Sequence, residues 1–146
     1  MGTRRRAREL ALQFLYQYDA LTESSGESLS PEDQLSMFWE RDDARIQDEM
    51  KEFPSALILG TCRNLAHIDE IISRFSEHWR LSRMSKIDRN ILRLAVYELI
   101  YLSGIPPAVT INEAVELGKR FGTEESGSFI NGILDKIRIA REQGEL

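Results

Sequence analysis

The stretch IDRNILRLAVYELIYLSG, residues 87–104, limits the fold more than any other part of the chain. At about 3.6 residues per helical turn, its apolar side chains fall nearly all round the axis beyond the first turns. A helix apolar on every side is stable only when other elements cover it, so this segment marks a central, buried helix. S-K-I-D at 85–88 supplies its start, with Ser85 as N-cap and Asp88 at the third helical position, the spacing of a capping box. Gly104 followed by Pro106-Pro107 supplies its end.

The covering elements also read as helices. Ala7, Leu10, Ala11, Phe14, Leu15, Tyr18 and Leu21 recur at i, i+3, i+4 and i+7, the repeat of an amphipathic helix. The segment ESSGESLSP, 23–31, is a polar linker, and Pro31 suits the first turn of a short helix with Leu35, Phe38 and Trp39. Pro54 sits early in a further helix, and a new apolar pattern runs through Ile68, Ile71, Ile72, Phe75 and Trp79. T-I-N-E at 110–113 is a second capping box, opening a helix that closes at Gly122, and a last helix turns Ile130, Ile133, Leu134 and Ile137 inward. No stretch alternates as a strand does. The expected fold is all-α, about seven helices in two small bundles that share the central helix. One domain spans 1–146, with subdomains 1–66, which includes the acidic linker 22–53, and 67–146.

With 146 residues and 42% apolar content the chain can bury a real core. No apolar run approaches the ~18 residues of a membrane span, no secretory signal is evident, and Cys62 is the only cysteine. A cytoplasmic location is therefore expected. Catalytic chemistry is missing from the pattern. His67 and His78 lie eleven apart with no cysteine nearby, so neither a zinc site nor any other metal or cofactor is expected. The carboxylate pair Asp42-Asp43 sits in an acidic stretch, which reads as solvated surface. The chain does not read as an enzyme.

The net charge of −5 conceals an asymmetry: residues 22–53 carry −7, and the remainder sums to +2. The densest positive block opens the chain, with Arg4, Arg5, Arg6 and Arg8 in five positions. On a wheel of about 100° per residue, Arg5, Leu12 and Tyr16 fall opposite the apolar stripe, while Arg6 and Arg8 flank it. Cations at a helix N-terminus oppose the macrodipole, so a gain elsewhere is implied, and phosphate is its natural source. A solvated basic turn is the plainer alternative. Tyr16 is either packed at a helix seam or offered to a partner.

Four blocks, RRRARELALQFLYQYD (4–19), IDRNILRLAVYEL (87–99), INEAVELGKRFG (111–122) and SFINGILDKI (128–137), resemble in order and spacing the bacterial NusB family of transcription antitermination factors. The resemblance implies an all-helical, RNA-binding, non-catalytic protein without cofactor. It implies pairing with NusE, also a small-subunit ribosomal protein, and binding of single-stranded boxA RNA within the RNA polymerase antitermination complex, notably on ribosomal RNA operons. It places RNA contacts at Arg4, Arg5, Arg6, Arg8 and Phe129, and NusE contacts at Tyr16 and Asp88. Residues 22–53 do not take part in the resemblance.

Competing structural roles stand beside each transfer. Asp88 either only caps its helix or also faces a partner, and the two roles can coexist because a carboxylate has several lone pairs. Phe129, flanking the stripe of the last helix, closes a core edge or stacks on an unpaired base. Lys119 and Arg120 are further phosphate contacts on charge and sequence proximity alone, and Glu125, beside Phe129, would then modulate RNA affinity by repulsion. Two other functions remain open: a protein-binding helical adaptor, and a domain related to the RNA-binding domains of ribosomal RNA methyltransferases. Because the chain stops at Leu146, a stand-alone factor is the expectation. The exposed face of the first helix also leaves homodimerisation open.

Overall fold

The computed structural model describes residues 3–26, 29–41, 47–77 and 79–146. Glu27, Asp42, Asp43, Arg45 and His78, which entered the charge and metal readings, lie outside the described residues. Among the described residues there are seven α-helices and no strand: α1 (Thr3–Ser25), α2 (Pro31–Glu40), α3 (Glu52–Arg63), α4 (Leu65–Phe75), α5 (Lys86–Tyr101), α6 (Pro107–Phe121) and α7 (Ser126–Glu142). Single 3-10 turns at Asp48–Met50 and Leu81–Arg83 precede α3 and α5. The chain divides into two compact units, Met1–Arg63 and Asn64–Leu146.

In the first unit, α1 lies against α3 and α2. Leu10, Ala11, Phe14 and Leu15 are buried, as are Leu35 and Phe38 of α2 and Leu57 and Ile58 of α3. The Phe14 ring meets Phe38 edge to face at 5.5 Å and stacks on Tyr18 at 5.6 Å. The stripe of α1 departs from the wheel at two places. Leu12 is buried, although it lies off the stripe, and Leu21, on the stripe, is 42% exposed. Gly26, at φ +68°, lies directly after α1 in the left-handed region that glycine tolerates. Ser30 then caps α2, its hydroxyl accepting the Asp33 N–H, with Pro31 at the first helical position.

In the second unit, α5 is the central element. Ten of its sixteen residues are buried, and it lies against α4, α6 and α7. Two of its buried polar side chains pair with neighbouring helices. Arg93 forks onto Asp69 of α4 through Nε–Oδ1 and Nη2–Oδ2 bonds of 2.8 and 2.9 Å. Glu98 accepts the Thr110 hydroxyl at 3.1 Å. That second contact corrects the reading of T-I-N-E as a capping box. Helix α6 starts four residues earlier, with Pro106 as N-cap and Pro107 at its first position, so the two prolines open α6 and Thr110 is a buried residue of its opening. Helix α4 ends at Phe75, which leaves Trp79 off the helix and 53% exposed.

Helices α6 and α7 meet at their tightest around Gly118 and Gly122. A Cβ on Gly118 would stand 2.9 Å from Ile130 Cδ1, and one on Gly122 would stand 2.2 Å from Ser126 Oγ. Ser126 itself is buried and accepts the Thr123 N–H at 2.9 Å, fixing the corner from which α7 begins.

Candidate nucleic-acid and partner interface

The first unit presents the basic start of α1. No acidic residue occupies the first turn, so the cations there are not offset within the turn. Arg4 is exposed, with its guanidinium carbon 4.3 Å from the centroid of the Phe53 ring. This cation–π contact with α3 orients Arg4 without neutralising it. Arg6 is exposed and 3.4 Å from Glu9, and Arg5 is half-buried. Arg8 corrects the expectation of four presented arginines, for it is only 4% exposed and engaged with other groups. A position flanking the apolar stripe belongs to the covered face once the neighbouring residues close over it. The outward charge of this helix start therefore comes chiefly from Arg4 and Arg6.

About three turns further along α1, Tyr16 is 40% exposed on the wall of a groove of about 460 Å³ between α1 and α2. Phe14, Phe38, Leu21, Gln34 and Arg41 also line it. Tyr18, also in the wall, donates its hydroxyl to the Leu29 carbonyl. Burial pushes the Tyr18 phenol above its ordinary value, with Cys62 and Glu32 adding to the rise. Tyr16 is thus spare: it closes no core, and its ring is presented to solvent.

In the second unit, the Ser85 hydroxyl accepts the Asp88 N–H at 3.1 Å, and this single bond caps α5. The carboxylate of Asp88 does not complete the box. Its Oδ1 is shielded from solvent and has no hydrogen-bond partner among the described residues. An acid in the first turn still favours the helix dipole, but its acceptor capacity is left over.

At the start of α7, Glu125 is the exposed N-cap, and its carbonyl accepts the Phe129 N–H and the Ser128 hydroxyl. Phe129 is half-buried, and its ring meets Trp79 edge to face at 6.0 Å. Lys119 and Arg120 are exposed in the last turn of α6, where positive charge suits the helix C-terminus. Lys119 lies 3.7 Å from Glu116, and the Arg120 guanidinium lies 5.0 Å from the Phe121 ring centroid. Sequence reasoning placed Trp79 in a helical apolar stripe and so missed its place beside Phe129. Among the described residues no group of His, Cys, Asp or Glu is arranged to hold a metal ion, and no helix is long and apolar enough to cross a membrane.

These features define a class: an all-helical protein that presents cations and aromatics at its surface. Residues 5–138 match the model of the NusB family, and the chain belongs to that family. It is 46% identical over 147 residues to the transcription antitermination protein NusB of Desulforapulum autotrophicum, covering 99% of each chain. It is 47% identical over 140 residues to that of Myxococcus xanthus, covering 96% of this chain and 97% of the relative. Among solved structures it resembles NusB of T. maritima, with a TM-score of 0.81 at 40% identity, covering 100% and 99% of the two chains. It also resembles a chain of the crystal structure of antitermination factors NusB and NusE in complex with dsRNA, with a TM-score of 0.79 at 31% identity, covering 96% and 98%. As a member of this family the chain is a binding factor and not an enzyme.

Proposed function

We propose that this chain is a transcription antitermination factor that binds RNA and pairs with NusE, a small-subunit ribosomal protein. In this reading it binds the boxA element of nascent RNA in the cytoplasm and promotes read-through by RNA polymerase, notably in ribosomal RNA operons. The observation that carries the proposal is the likeness, at a TM-score of 0.79, to a chain crystallised with NusE and RNA. The local chemistry agrees with it. Arg4 and Arg6 hold positive charge at a fixed helix start, although the whole chain is acidic. Tyr16 and the shielded, unpartnered Oδ1 of Asp88 are the groups assigned to NusE. Phe129 supports single-stranded RNA as the ligand, because an unpaired base offers a face for stacking and a paired one does not.

The test is a titration of boxA-containing RNA, single-stranded and duplex, with the full chain alone and with NusE. The reading expects a ternary complex in which NusE tightens binding of the single-stranded RNA. Equal affinity for boxA and a scrambled sequence, or no gain with NusE, would contradict it.

A further inference from the structure

The edge-to-face pair of Trp79 and Phe129 carries an inference that rests on the RNA-binding reading and extends it to residues outside the four family-like blocks. Trp79 is 53% exposed, yet its own backbone N–H and carbonyl are both hydrogen-bonded. Its N–H donates to the Ser76 carbonyl at 2.6 Å, and the Ser76 hydroxyl donates back to the Trp79 carbonyl at 2.8 Å, with Ser76 itself buried. Two residues later, Nη1 of the buried Arg89 donates to the Leu81 carbonyl at 3.1 Å, and Met84 is buried beyond it. The turn is also docked on α7 at two points: Glu77 lies 3.7 Å from Lys136, and Trp79 meets Phe129. Phe129 and Lys136 are seven apart and so share one helix face. A large apolar ring held rigidly against solvent has paid its ordering entropy before any ligand arrives, as a stacking platform requires.

The charge around this ring is the second observation. Arg80 and Arg83 are exposed, and among the described residues neither has a hydrogen-bond or ion-pair partner for its side chain. Elsewhere the exposed arginines are mostly engaged: Arg63 with Glu32, Arg74 with Glu70, and Arg141 with the Leu99 carbonyl. In a chain of net charge −5, two uncompensated guanidinium groups within four residues of a rigid exposed indole fit a polyanion that also carries flat rings.

We infer that Trp79 forms with Phe129 a two-ring platform for an unpaired nucleotide of single-stranded RNA, with Arg80 and Arg83 holding the phosphates that flank it. The base lies on an aromatic face, and the guanidinium groups supply forked donors matched to phosphate oxygens.

The experiment uses the full chain and a boxA-containing single-stranded RNA. In a Trp39→Phe protein the indole of Trp79 is the only tryptophan, since the chain has two. Its fluorescence should be quenched as RNA saturates. Trp79→Ala should weaken RNA binding roughly five- to a hundredfold, the range for one stacked base. Trp79→Phe should recover most of that loss, with helicity by circular dichroism unchanged throughout. Replacing Arg80 and Arg83 together by Gln should flatten the slope of log affinity against log salt by about 1.4, at ~0.7 per phosphate contact. Undiminished RNA affinity in Trp79→Ala together with unquenched fluorescence would overturn the platform while leaving RNA binding through Arg4 and Arg6 intact. If Trp79→Ala instead weakens NusE binding alone, the surface docks protein and the inference is overturned. If the unaltered chain binds no RNA, the functional reading falls and the platform falls with it.

Discussion

The backbone N–H of Phe129 donates to the Glu125 carbonyl at 3.0 Å, so an aromatic ring and an exposed carboxylate share the first turn of α7. If RNA stacks on Phe129, its phosphates pass near Glu125, and the two residues act with opposite sign. Phe129→Ala should weaken RNA binding by ~1–3 kcal/mol. Glu125→Gln should tighten it modestly, more at low salt than at high salt, while lowering helix stability by roughly 0.3–1 kcal/mol at most. Titrations of both variants at two salt concentrations check this. If Phe129→Ala chiefly unfolds the protein and Glu125→Gln leaves RNA affinity unchanged at every salt, α7 is a scaffold.

Tyr16 and Asp88 should matter to NusE and little to folding. Tyr16→Ala removes a ring that is 40% exposed, so the free protein should keep its helicity while NusE affinity falls by ~2 kcal/mol or more. The cap of α5 rests on the Ser85 hydroxyl and not on the Asp88 carboxylate. Asp88→Asn should therefore cost under about 1 kcal/mol of stability, whereas Ser85→Ala should cost about 1 kcal/mol. Asp88→Lys should weaken NusE binding with the fold intact. Calorimetric titration with NusE measures both variants, and unchanged affinity in Asp88→Lys would remove Asp88 from the interface.

The α6–α7 corner leaves no room for a methyl group at Gly122. A Cβ there would stand 2.2 Å from Ser126 Oγ and 2.8 Å from the Gly118 carbonyl oxygen. The hydroxyl cannot swing away without giving up the Thr123 N–H. Gly122→Ala should lower stability by roughly 1–3 kcal/mol, the cost of overpacking, and thermal unfolding reads it directly.

Stability should also fall at alkaline pH through Tyr18. Its phenol is raised above the ordinary value of 10.0, chiefly by burial, so the folded state holds the proton more tightly than the unfolded chain does. That stabilisation is complete below pH 10 and is lost as pH rises through the folded value. Denaturant midpoints measured from pH 8 to 11 should fall less steeply in Tyr18→Phe than in the unaltered chain. Parallel slopes would show that the Tyr18 proton is not coupled to folding.

Much of the architecture was legible because helical periodicity and end signals are local. Ser85 caps the helix its spacing announces, Pro31 opens α2 as expected, and α5 is buried as its all-round apolar surface requires. What was not legible depends on which face a neighbour covers. On an isolated wheel Leu12 reads as outward and Arg8 as flanking the stripe, and both are buried in the fold. Thr110 has the composition of a cap, but Pro107 can start the helix earlier, and Glu98 gives the Thr110 hydroxyl a buried partner. Trp79 continues the α4 stripe in spacing, yet the helix stops at Phe75 and the Ser76 turn carries the ring to Phe129. The candidate site was legible in residue type, since arginines and spare aromatics are chemically conspicuous. Their exposure was not, because it is set by contacts distant in sequence.

The central claim is that RNA is held through phosphate contacts by the start of α1, and the salt dependence of binding tests it most directly. The affinity of the full chain for single-stranded boxA RNA should be measured across a range of salt, beside the double variant Arg4→Ala with Arg6→Ala. If both arginines neutralise phosphates, the variant's slope of log affinity against log salt should be flatter by about 1.4, with thermal stability little changed. An unchanged slope, or a variant that loses RNA only because it unfolds, would contradict the account and return these arginines to a structural role.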